Sequence, residues 1–95
     1  MPRKCKRRNV KGKFNYKYFK PRAVPMCELQ EVKLTPCEME AMRLSDIEEM
    51  YQAEAAEQME VSRQTFGNII QSAHKKIADA LINGKAIIIT DGEEE

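Results

Sequence analysis

The chain has one histidine, no tryptophan and three cysteines, with no Cys-x-x-Cys pair among them. A structural zinc site takes four well-placed ligands, commonly in close pairs, and Cys5, Cys27, Cys37 and His74 do not supply that spacing. Three free thiols in a reducing cytoplasm are the expectation, with no bound metal. No apolar run is long enough to span a bilayer, so no membrane association is expected. The start of the chain is charged from Arg3 onward and lacks the apolar segment of an export signal, which points to a cytoplasmic protein. There is no Ser-His-Asp set, no glycine-rich phosphate loop and no metal cluster. The expectation is therefore a protein that is not an enzyme and needs no cofactor.

Acid is also missing, but only locally. Residues 1–22 hold ten of the sixteen Lys and Arg and no Asp or Glu, whereas residues 23–95 hold six basic and fifteen acidic residues. The net charge of +1 hides a basic arm joined to an acidic body. Such an arm suits a polyanion. At 95 residues the chain is one small domain with a modest core.

Residues 1–13, MPRKCKRRNVKGK, have no hydrophobic period and read as a flexible arm. Residues 14–25 carry four of the six aromatics, Phe14, Tyr16, Tyr18 and Phe19, and Pro21 and Pro25 forbid a helix there. This stretch is either an extended segment pinning its aromatics onto the body or a stacking surface for bases or sugars. The organisation is an arm over 1–25, a helical domain over 26–90 and an acidic tail over 91–95.

Within the body, 29–34 (LQEVKL) reads as a short strand. A helix start follows, with Thr35 as N-cap, Pro36 in the first turn and Glu38 closing a capping box. That helix is expected to run to about residue 49, burying Met39, Met42, Ile47 and Met50. Residues 85–90 (KAIIIT) read as a second strand, which needs the first as partner, within the chain or across a dimer.

The central stretch, 52–71, carries the functional signal. Ala55, Ala56 and Met59 fall on one face of a short helix, Val61 follows as a plug for a turn, and Ser62 caps a second helix that buries Phe66, Ile69 and Ile70. Small side chains fall where two helices must approach closely. This is the pattern of a helix-turn-helix, whose second helix lies in the DNA major groove. Opposite the apolar stripe lie Arg63, Gln64, Thr65, Asn68 and Gln71, residue types that read base edges. Ser62, Lys75 and Lys76, with Arg3, Lys4, Lys6, Arg7 and Arg8 of the arm, are the candidates for backbone phosphates, and His74 lies among them. The second helix continues through Ala73, Ile77, Ala80 and Leu81 to a stop at Asn83-Gly84. It is longer than reading DNA requires, so its end must pack on the first helix or on a second subunit.

The segments MPRKCKRR, YFKPRAVP and LQEVKLTPCEMEAMRLSDIEEMYQAEAAEQMEVSRQTFGNIIQSAHKKIADALINGKAIII, in that order, resemble the prokaryotic family called domain of unknown function 134. The helical part is similar to the fourth region of bacterial sigma factors. The resemblance implies a DNA-binding regulator. Against the family pattern, Glu60 stands where Gly or Asn is common, and Glu49 and Ala23 stand where Gly is common. A left-handed backbone at Glu60 would cost about 1 kcal/mol.

The sequence thus leads to a mainly α, three-helix helix-turn-helix domain with a two-stranded β element, 29–34 with 85–90. The expected function is sequence-specific binding of double-stranded DNA as a homodimer in transcription regulation. The alternatives are a protein-binding helical adaptor, or RNA binding through the basic aromatic arm. The acids Glu54, Glu57 and Glu60, on or beside the first helix of the motif, would repel DNA if they faced it.

Overall fold

The computed structural model describes residues 18–90. The order of elements is β1 (Tyr18–Phe19), a 3-10 turn (Met26–Glu28), β2 (Glu31–Leu34), α1 (Pro36–Met42), a π-helical turn (Arg43–Ile47), α2 (Gln52–Met59), α3 (Arg63–Asn83) and β3 (Ala86–Ile89). The fold is mainly α with a small sheet. Of the organisation expected from sequence, residues 1–17 and 91–95 lie outside the described residues.

The two expected strands pair within the chain. β2 runs parallel to β3 with Val32 beside Ile87 and Leu34 beside Ile89, so all three α-helices form the crossover between them. A third strand, not foreseen, joins them. β1 lies antiparallel on the other edge of β3, with Tyr18 opposite Ile88 and Phe19 opposite Ile87. The isoleucine-rich strand takes the centre, where β-branched side chains gain neighbours on both sides. Tyr18 and Phe19 stay about half exposed, so the aromatics of this short strand are not pinned into the core.

α1 starts as its sequence dictates. Thr35 is extended, its hydroxyl accepts the Glu38 N–H, and the Glu38 carboxylate accepts the Thr35 N–H at 3.0 Å. The expected methionine stripe is wrong. Cys37, Ala41 and Leu44 form the buried face, Met42 and Met50 pack only at its margin, and Ile47 is exposed. Cys37 and Ala41 lie one turn apart on the face of α1 that packs against α3, and the π turn after Met42 changes only the facing of the residues beyond it, Ile47 among them. Cys37 is disulfide-bonded, which corrects the expectation of three free thiols, whereas Cys27 is free and exposed.

The core forms where α3 crosses α1 and α2. Phe66 is fully buried at its centre, against a cluster that includes Leu44, Ala55, Ala56, Met59 and Ile70. Burying one such aromatic contributes roughly 1.5–3 kcal/mol. Two carboxylates are buried beside this core, and both have cationic partners. Glu40 holds the Arg43 guanidinium through two hydrogen bonds, Nε to Oε1 at 3.0 Å and Nη2 to Oε2 at 2.8 Å. The Glu40 hydrogen bond raises the Arg43 pKa above its ordinary value, and the Glu40 and Glu48 charges add to it against the desolvation.

Glu38 reaches from α1 to α3. Its carboxylate accepts the Ser72 hydroxyl at 2.5 Å and the Lys76 ammonium at 2.9 Å. The capping carboxylate of α1 thereby ties down the middle of α3.

Candidate nucleic-acid interface

The turn between α2 and α3 is built around one strained residue. Glu60 has φ 61° and ψ 42°, in the left-handed region that glycine or asparagine takes without penalty. In this conformation the Val61 N–H reaches the Ala56 carbonyl at 3.0 Å, and Val61 folds against the core. Ser62 then opens α3. Its Oγ accepts the Thr65 N–H at 3.0 Å and its hydroxyl donates to Thr65 Oγ1 at 2.9 Å. Glu49, before α2, and Ala23 are also left-handed, so the three positions where the family pattern has Gly or Asn all have positive φ.

α3 presents one exposed polar face. Arg63, Gln64, Gly67, Asn68 and Gln71, together with Gln52 of α2, line a shallow groove. Asn68 and Gln71 also border a second groove with Ser72, Lys75 and Lys76. At 100° per residue, Gln64, Asn68, Gln71 and Lys75 lie within a narrow stripe. Arg63, Gln64, Asn68, Gln71 and Lys75 are all exposed. Thr65 sits half-buried beside the Ser62 cap, so it belongs to the helix start more than to the open face.

The phosphate candidates divide. Lys75 is exposed on the stripe. Lys76 is not open to a phosphate, because its ammonium bonds Glu38 at 2.9 Å and the Lys33 carbonyl at 2.7 Å. Ser62 is exposed, but its hydroxyl serves the helix start. His74 Nε2 lies 2.7 Å from Asp46 Oδ2 and ties α3 to the π turn. Arg3, Lys4, Lys6, Arg7 and Arg8 lie outside the described residues.

The acids are turned away. No groove-lining residue on this face is acidic. Glu54 and Glu57 stand on the side of α2 opposite its buried Ala55, Ala56 and Met59. The short helix is therefore acidic on the surface that leaves the groove, while Glu60 is exposed in the turn before α3. Gln52 is the residue that sequence reasoning missed. The available signal was its place in the first turn of α2, next to the recognition helix in any helix-turn-helix. Gly67 is not forced by packing, since a Cβ there would meet only Gln52 Oε1, at 3.8 Å.

No helix among the described residues is long and apolar enough to cross a membrane. The family of proteins of unknown function DUF134 matches over residues 1–95. A UPF0251 protein of Prosthecochloris aestuarii is 52% identical over 91 residues, covering 96% of this chain and 57% of the relative. A UPF0251 protein of Clostridium botulinum is 55% identical over 92 residues, covering 97% and 59%. One from Thermoanaerobacter pseudethanolicus is 54% identical over 92 residues, covering 97% and 78%. The chain thus spans a little under three fifths of the first two relatives. No solved structure matches it. On the family match and these identities, the chain belongs to the DUF134 family.

Proposed function

We propose that this chain is a cytoplasmic protein that binds double-stranded DNA sequence-specifically and regulates transcription, a binder and not a catalyst. The observation that carries the reading is the acid-free stripe of Gln52, Arg63, Gln64, Asn68, Gln71 and Lys75 on the open side of a capped helix. Arg pairs with guanine and Gln with adenine through two hydrogen bonds each. The start of α3 enters the major groove, and Asn68 and Gln71 follow one and two turns on. Among the described residues, only Arg63 and Lys75 bring cations to this stripe without an ion pair of their own, so the basic residues of 3–22 supply most of the attraction to phosphate.

Selection of bound duplexes from a random pool is the direct test. A recovered motif supports the reading, and recovery of none at moderate salt favours the protein-binding adaptor. With the motif in hand, Arg63→Ala and Gln64→Ala should each cost about 1–3 kcal/mol of specific binding and relax preference at one position. Unchanged preference would remove those residues from the reading set.

A further inference from the structure

Gly67 has no part in holding the fold together. It sits inside α3, away from both ends, where glycine is the poorest helix former after proline. Its φ is not positive, so no turn asks for it. Nothing stands close enough to forbid a side chain, since a Cβ would meet only Gln52 Oε1, at an ordinary 3.8 Å. The helix is thus weakened here with no gain in packing. What the glycine leaves is bare backbone, half-buried in the groove between α2 and α3. Glycine serves in that way where a ligand comes close to the main chain.

The groove has an apolar floor and a polar rim. Gly67 is half-buried and Ile70 is 7% exposed, whereas Gln52, Arg63, Gln64, Asn68 and Gln71 around them are all exposed. The floor has no hydrogen bond to offer. Inside a helix the N–H and carbonyl are engaged in the helical ladder, and Ile70 has no polar side-chain atom. A phosphate or a sugar hydroxyl gains nothing on such a floor, but a small apolar group does. The base edges of the major groove carry one such group, the C5 methyl of thymine. The rim suits the same base pair, because Gln and Asn each pair with adenine through two hydrogen bonds.

We propose that Gly67 and the exposed edge of Ile70 seat a thymine methyl group, so that the recognised sequence holds an A·T pair at this point of the contact. The inference rests on the DNA-binding reading above and names what that reading leaves open, the base at the middle of the face. The amides of the rim take the adenine, and the floor takes the methyl of its partner. A side chain at position 67 works against this. An alanine Cβ would stand where the methyl meets the helix and lift the base by about the length of one carbon–carbon bond, ~1.5 Å.

The experiment uses the intact chain and a duplex motif recovered from a random pool. Each thymine is replaced in turn by deoxyuridine, which differs only in lacking the methyl. One replacement should weaken binding about fourfold, the effect of exposing one methyl group. Gly67→Ala should abolish or reverse that preference for thymine over uracil at the same position and leave the other positions as they were. Its melting temperature should rise by about 5 °C, which separates the binding effect from a failure to fold. Cytosine methylated at C5 is the other source of this group, and methylating the cytosines of the motif should bring no gain. Thymines that are all replaceable without loss would overturn the proposal. So would a thymine preference that survives Gly67→Ala, or a gain from methylated cytosine that Gly67→Ala removes. Recovery of no motif at all would overturn the DNA reading itself, which distinguishes that failure from failure of the methyl seat.

Discussion

The two helices of the motif are built on opposite plans. α3 is secured at both ends and in its middle. Ser62 caps its start, Gly84 takes the left-handed position after its end at φ 67°, and Lys76 and Ser72 fasten its middle to Glu38. α2 has little of this. Tyr51 before it provides no side-chain cap, and left-handed glutamates stand on both sides at Glu49 and Glu60. Eight residues are too few for a helix to hold itself in water. α2 is helical because Ala55, Ala56 and Met59 are buried against α3 and its neighbours. α3 is thus held at both ends and in its middle, whereas α2 keeps its place through the core.

The sharpest way to break this contrast is at Phe66. Phe66→Ala should cost about 3–5 kcal/mol in urea unfolding, because it removes the side chain on which α2 depends. A loss below about 1 kcal/mol would show that α2 holds its place by other means. Next in size is the cap. Ser62→Ala should cost about 1 kcal/mol and fray the first turn of α3, read by amide exchange at Thr65. Of similar size and opposite sign is Glu60→Gly. It removes the left-handed penalty and should stabilise the chain by about 1 kcal/mol, with the same fold by heteronuclear spectra.

The smallest effect is expected at the far end of α3. The Lys85 hydrogen bond, then that of Asn83, holds the Asp79 carboxyl below its ordinary range, with the Lys85 and Lys75 charges adding to it. A depressed carboxylate contributes stability that is present above its unfolded pKa, near 3.9, and lost as pH falls through the lower folded value. Asp79→Asn should flatten that acid limb of the melting profile by lowering stability slightly at pH 7, and the two profiles should meet at low pH, where Asp79 is protonated. A limb of unaltered steepness would show that the Lys85 contact does not persist in solution.

Much of the fold was legible because it is coded over a few residues. Thr35 with Glu38, Ser62 with Thr65, and Asn83-Gly84 are cap and stop signals whose partners lie within one turn. Ala55, Ala56, Met59, Phe66 and Ile70 were found by spacing, because each helix buries a continuous face. What was not legible depends on distant residues. The first helix buries Cys37 and Ala41, with Leu44 of the π turn, in place of the expected methionines, because that is the side that meets α3. Lys76 looked like a phosphate ligand until Glu38, 38 residues away in sequence, took its charge. The edge strand at Tyr18–Phe19 exists only because β3 has a second side to offer. In the candidate interface, the polar stripe of α3 was read from spacing alone, but Gln52 enters only through the packing of α2 on α3.

The sequence by itself determined the helices, their caps and the polar stripe of α3, since backbone geometry and helical period act over one or two turns. Only the tertiary structure decided which charges remain open. It paired Lys76 and His74 with acids, turned Glu54 and Glu57 away from the groove and left Leu81 and Ile82 exposed. The physical reason is that a charge acts on whatever lies within a few ångströms, and which groups lie that close is settled by how helices pack.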